Sequence, residues 1–226
     1  MTPEALDALY TQTSRQTLAA WQAQPGCGEA MIGHYYDTDT LAPVTGILPA
    51  PGEALATLLA EINAMSDGDA LADAMPVNGL HFTFLPIMLP HYRPGERPKH
   101  LDLLKRLWQE YCTAQPLTIS RLRLVALPSQ LLLAGIPDPH SLRQRSAFAD
   151  ALLKTPLAPG LLARHASTPL PAPFWHSTLL RYRAQRLPEP LRSYFIRHQH
   201  REFGSVSAPV RLVMANYNWT VVKPIA

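Results

Sequence analysis

A short pattern occurs twice in this chain, as His81-Phe82-Thr83-Phe84 and His176-Ser177-Thr178-Leu179. Each copy places a histidine two residues before a hydroxyl, inside an apolar run. Residues i and i+2 of a β-strand point to the same face, so each copy presents one imidazole and one hydroxyl side by side. Two such pairs facing one another supply an acid, a base and two donors for phosphate oxygens. Those are the parts that phosphodiester chemistry needs when no metal takes part. An imidazole titrates near pH 6.5, which lets one histidine be neutral while its partner is charged. Fixed hydroxyl donors stabilise the charge that develops on the non-bridging oxygens in the transition state.

The bare pattern is cheap. With nine histidines in the chain, about one match is expected by chance, and His165-Ala166-Ser167 is a third copy. The flanks separate them. His165 lies between Arg164 and the Ser-Thr-Pro of a proline-rich stretch, with no strand signal. His81 has Leu80, Phe82 and Phe84 around it, and His176 has Trp175 and Leu179. For either histidine alone the bland alternative is a core residue satisfied by a backbone carbonyl. The matched placement of the two is what favours a site.

The elements that must position these pairs follow from periodicity and punctuation. Residues 3–23 form an amphipathic helix that stops at Pro25-Gly26, 44–48 a short strand, and 52–65 a second helix. Leu80 to Ile87 is the first motif strand, followed by a loop dense in proline and charge. A third helix covers 101–113. Strands 117–127 and 130–136 pair across Pro128-Ser129, and a fourth helix runs from 138 to 154. Residues 155–173 hold five prolines and read as a crossing linker. Phe174 to Arg183 is the second motif strand, 190–200 a fifth helix, and 210–222 one long or bent strand. The order strand, helix, motif strand, helix, strand occurs twice. It predicts an α+β fold of two pseudo-symmetric lobes of antiparallel sheet, helices outside, with the motifs across a central cleft.

Composition bounds the class. The 226 residues are 47% hydrophobic and 16% charged, which is the profile of a globular chain. A net charge of +3 suits an anionic substrate and falls short of a nucleic-acid-coating protein. Cys27 and Cys112 show no zinc-ligand spacing, and two lone thiols with no visible signal peptide predict a cytoplasmic protein. No apolar run is long enough for a membrane span. The glycines form neither G-x-G-x-x-G nor a Walker sequence, and no nucleophile elbow is present.

The doubled H-x-T pattern, 95 residues apart (176 minus 81), resembles the two-histidine (2H) phosphoesterase superfamily. That group includes bacterial RNA 2′,3′-cyclic phosphodiesterases, once called 2′-5′ RNA ligases, and plant and fungal cyclic phosphodiesterases. The resemblance spans residues 44–222; it is specific at the motifs and topological elsewhere. Residues 1–43 form an N-terminal helical extension to that domain. This extension and the proline-rich loop after Phe84 set the chain apart from the tRNA-type enzymes and point to another bacterial branch.

The resemblance implies a metal-independent phosphodiesterase with His81, Thr83, His176 and Thr178 as catalytic residues and no cofactor. His176 activates water and His81 protonates the leaving oxygen, or the reverse. The expected substrate is a cyclic nucleotide, a small phosphodiester or an RNA end, handled by a monomer without an obligatory protein partner. Tyr182 falls on the face of His176 and Thr178 in a regular strand and is a candidate for stacking on a base, a core tyrosine being the alternative. Arg181 and Arg183 then face solvent. Arg93, with Arg97 and Lys99, is a candidate contact to a second phosphate, a plain surface loop being the alternative. Two rivals stand beside this reading. One is a non-catalytic module that holds a nucleotide or RNA end in the same cleft. The other is a metal-dependent hydrolase using His34, His198 or His200, for which Glu202 alone does not complete a ligand set.

Overall fold

The computed structural model describes residues 2–31, 33, 37 and 39–225. His34, Tyr35 and Tyr36 lie outside the described residues. The chain folds as α1 (Pro3–Ala23), β1 (Ala42–Ile47), α2 (Glu53–Ser66), β2 (Ala72–Ala74), a 3₁₀ turn (Val77–Gly79), β3 (Phe82–Pro86), α3 (Leu101–Cys112), β4 (Leu117–Leu127) and β5 (Gln130–Pro137). There follow α4 (Pro139–Leu153), α5 (Ala158–Arg164), β6 (His176–Tyr182), α6 (Glu189–His198), β7 (Val206–Ala208), β8 (Arg211–Ala215) and β9 (Val222–Pro224).

Local chemistry sets the helix starts. Thr2 caps α1, its hydroxyl accepting from the Ala5 N–H at 3.2 Å, with Pro3 following where a missing donor costs nothing. Asp138 caps α4 in the same way, accepting from the Ser141 N–H at 2.9 Å ahead of Pro139. Every residue of β1 is buried, and β5 is apolar through its middle, so both strands run through the interior of their sheets.

Two antiparallel sheets carry the fold, in the orders β3-β1-β8-β9 and β2-β6-β5-β4-β7. The chain is thus α+β, with two sheet-based lobes as the sequence predicts. The closing strands are exchanged. β4 follows the first motif strand in sequence but pairs with β5 in the second sheet, while β8 returns to pair with β1 in the first. The pseudo-symmetric triplets are β3-β1-β8 and β6-β5-β4, each with a motif strand flanking the first strand of its half.

The symmetry extends to a detail. In β3, Thr83 pairs with Gly46 and Leu85 with Thr45, so Phe84 is an extra residue. In β6, Thr178 pairs with Leu132 and Leu180 with Leu131, so Leu179 is extra. Each H-x-T motif therefore ends in a β-bulge at its fourth residue. A bulge turns the strand and reverses which later residues face the site.

Three predicted elements differ. The proline-rich stretch 155–173 contains α5, which opens with Pro159 in its first turn and packs on α4. Residues 210–222 form a hairpin, β8 and β9, because Asn216-Tyr217-Asn218 turns the chain where a period-two reading runs straight on. α1, read as part of an extension, packs on β4 and β5. Leu6, Tyr10 and Trp21 join the main core, Thr17 donates to the Ala126 carbonyl at 2.8 Å, and Trp21 Nε1 donates to that of Pro128 at 3.0 Å.

Candidate active site

Between the two sheets lies a cleft of about 310 Å³. His81, Thr83, His176 and Thr178 all line it, so the strand geometry brings the four motif side chains to one place. His81 stands just before β3, at the end of the 3₁₀ turn, and Thr83 is the second residue of that strand; His176 and Thr178 are the first and third of β6. The lobes lock together immediately behind them. Phe84, the bulge residue of β3, meets Trp175, the residue before His176, edge to face at 5.8 Å.

His81 is held on two sides. Its Nδ1 donates to the Gly79 carbonyl at 2.9 Å, which fixes the neutral tautomer and leaves the Nε2 lone pair free. Its ring stacks on Trp219 with centroids 4.9 Å apart and planes 11° from parallel. Trp219 comes from the β8–β9 turn, where its φ is +56°, and its indole fits only because residue 46 has no side chain. A Cβ at Gly46 would stand 2.6 Å from the Phe82 carbonyl oxygen and 2.7 Å from Trp219 Cη2.

His176 is held differently. Phe174 meets it edge to face at 6.0 Å, and its Nδ1 is buried without a hydrogen-bond partner among the described residues. The start of β6 is clipped by α1. The Tyr10 hydroxyl accepts from the Trp175 N–H and donates to the Gly135 carbonyl, each at 3.0 Å.

Both imidazoles are pulled well below their ordinary value, to about 4. For His81 burial is the main cause; the Gly79 carbonyl opposes it, and the positive field of Arg181 adds to it. For His176 burial again dominates, followed by the charges of Arg181 and Arg145. At neutral pH both rings are therefore neutral.

The bulge at Leu179 corrects two expectations from the sequence. Tyr182 does not reach the cleft; it is buried on the other side of β6, paired with Ala72 and 5% exposed. Arg181 takes its place at the cleft wall, its guanidinium 5.2 Å from the ring centroid of Tyr217, which in turn donates to Asp73 at 2.6 Å. Arg183 donates to the Ala70 carbonyl. Arg93 is exposed in the proline-rich loop, its N–H bonded to Glu96, and is not among the residues lining the cleft. Arg97 is engaged with Asp102 at 2.7 Å on the surface.

Sequence reasoning missed the far wall. Arg145 of α4, Arg164 and His165 at the end of α5, and Thr168 all line the cleft. His165, set aside as the chance copy of the pattern, makes a contact from Nε2 to the Pro86 carbonyl at 3.1 Å. Arg145 was detectable. It sits on the apolar stripe of its helix with Leu142, Ala149 and Leu152, where a cation is out of place. Among the described residues no three His, Cys, Asp or Glu side chains converge as metal ligands, and His198 packs its ring against Tyr194, centroids 4.4 Å apart and planes tilted by 37°, outside the cleft lining.

No protein-family model matches the sequence, and comparison with curated proteins finds no match. Among solved structures the chain is similar to TT0787 of Thermus thermophilus, at 17% identity over 82% of this chain and 95% of that one, with a TM-score of 0.48. It is also similar to ATU0111 from Agrobacterium tumefaciens str. C58, a conserved protein of unknown function, at 11% identity over 86% and 90% of the two chains, with a TM-score of 0.46. No helix among the described residues is long and apolar enough to cross a membrane.

Proposed function

We propose that this protein is a phosphodiesterase of the two-histidine kind, acting on a cyclic nucleotide, an oligonucleotide end or a related small phosphodiester. The observation that carries the reading is the convergence of both H-x-T pairs, each ended by a bulge at the same position, on one cleft that Arg181 makes positive.

In hydrolysis of a 2′,3′-cyclic phosphate, His176 takes a proton from water as the water oxygen bonds to phosphorus. The bond from phosphorus to one ring oxygen breaks, and His81 gives that oxygen its proton. Thr83 and Thr178 donate to the non-bridging oxygens, and Arg181 offsets their charge. The hydrogen bond to Gly79 favours this division of labour. A carbonyl on Nδ1 stabilises protonated His81, which suits it to the acid's role. The scheme calls on no metal, and a monomer in the cytoplasm suffices for it.

The rival, a binding module, draws support from His176 Nδ1, since an imidazole without an orienting partner is poorly prepared for proton transfer. One experiment separates the two. The protein is incubated in EDTA with 2′,3′- and 3′,5′-cyclic nucleotides and 2′-5′-linked dinucleotides, beside His81→Ala and His176→Ala. Turnover lost in both variants supports the enzyme. Binding without turnover in the parent protein refutes it in favour of the module.

A further inference from the structure

Arg145 and Arg164 have no part in the two-histidine scheme, yet both line the cleft. Arg145 is 5% exposed. Its guanidinium lies 3.7 Å from the ring centroid of Trp175, and Nη1 donates to the Phe174 carbonyl at 3.4 Å. Among the described residues no carboxylate pairs with it, and its Nε has no hydrogen-bond partner. Burial lowers its pKa to about 9, so it stays charged at neutral pH. Arg164 is likewise without an ion pair among the described residues. A buried cation without a counter-ion is expensive to maintain. The cleft offers none of its own, because no Asp or Glu is among its lining residues. An anionic ligand in the cleft would supply the compensating charge.

Position divides the three arginines. Arg145 reaches Trp175 from α4, whereas Arg181 stands six residues further along the chain, beside Tyr217. The charge of Arg181 acts on both motif histidines, whereas that of Arg145 acts on His176 alone, so Arg181 is the cation that the pair shares. Arg145 and Arg164, with Thr168 between α5 and β6, bring positive charge to the cleft from its helical side.

Building on the phosphodiester reading, we propose that the Arg145–Arg164 side of the cleft is a subsite for a second phosphate on the same substrate. The substrate class is then a cyclic phosphodiester that also carries a phosphomonoester, rather than a simple mononucleoside diester. The charges agree: a cyclic diester contributes one negative charge and a phosphomonoester about 1.5 to 2 more, against three arginines. The cleft volume, about 310 Å³, falls at the lower end of small-molecule sites and suits a single nucleotide.

The test compares adenosine 2′,3′-cyclic phosphate with and without a 5′-phosphate, measuring turnover in the parent protein and, by calorimetry, binding to His81→Ala. The 5′-phosphate should raise both kcat/KM and affinity at least tenfold. Arg164→Gln, and Arg145→Lys as the milder change at the buried site, should shrink that ratio toward one, chiefly through KM. Tighter binding of the 5′-phosphorylated compound with no turnover of either would sustain the subsite while removing the enzymatic reading. Equal handling of the two compounds, or a ratio untouched by Arg164→Gln, would overturn the subsite and leave hydrolysis standing. Failure of both compounds to bind would overturn it as well.

Discussion

Raising the pH should switch this site off far earlier than an ordinary histidine pair. Catalysis by one acid and one base needs a cleft that holds a single proton between His81 and His176. With both rings near 4, that form is abundant only around pH 4, and its population falls tenfold for each unit above it. Between pH 5 and pH 7 kcat/KM should therefore drop about a hundredfold. A bound phosphate anion opposes Arg181 and raises both histidines part of the way, burial remaining the larger cause, so kcat should hold to higher pH than kcat/KM does. The assay is initial-rate kinetics from pH 4.5 to 9 in EDTA, with the imidazole resonances of both residues followed by NMR. Arg181→Gln removes a positive charge near both rings and should move the descending limb to higher pH.

Stability works in the other direction. A histidine near 4 in the folded chain and near 6.5 unfolded stabilises the fold above pH 6.5, and that contribution is lost as pH falls through 4. For His81, 5% exposed, the difference amounts to roughly 3 kcal/mol. The chain should thus weaken in the acid range where its free cleft is best poised. A flat kcat/KM from pH 6 to 8, or imidazoles titrating near 6.5 in the free protein, would refute the argument that burial and Arg181 control this pair.

Other substitutions test the supports. Thr83→Val and Thr178→Val should each lower kcat about a hundredfold while changing KM little, the signature of a donor used in the transition state; steady-state kinetics checks it, and a loss confined to KM would contradict it. Gly46→Ala inserts a methyl where Trp219 and the Phe82 carbonyl leave no room. It should cost roughly 1–3 kcal/mol in urea unfolding and lower kcat by unseating the ring stacked on His81, with fluorescence of the indole reporting the shift. Tyr10→Phe strips the hydroxyl shared by Trp175 and Gly135. A loss of about 1–3 kcal/mol is expected, together with reduced kcat, although Tyr10 is not among the residues lining the cleft.

Periodicity and punctuation were enough for the main elements and for the four motif side chains, because both are local. Strand 117–127 and the start of α1 coincide with the structure since Pro3, Pro116 and the Pro128-Ser129 turn mark their ends in the sequence. The bulge at Leu179 was not legible. An extra residue in a strand is chosen by pairing with β5, a partner more than forty residues away, and it alone exchanged Tyr182 for Arg181. Trp219 was hidden for a related reason, since reading 210–222 as one strand gave the aromatic no turn from which to reach His81. Arg145 was hidden by habit: arginines on helices are usually solvated, and only its apolar neighbours three and four residues away mark it as buried.

The exchange of closing strands has a consequence for how the chain is made. β1 is flanked by β3 on one edge and β8 on the other, with Val44 opposite Val213, a separation of 169 residues. While a ribosome is still extending the second half, β1 offers a bare edge and an apolar strand with nothing to cover them. The sheet carrying His81 is finished only when nearly everything else has emerged, and Trp219 arrives later still. The second motif's sheet needs only β4, β5 and β6 for its centre and can assemble first. Nascent chains stalled after α6 should therefore hold His176 in a formed sheet and leave His81 without its final neighbours, so the cleft comes into being in one late step.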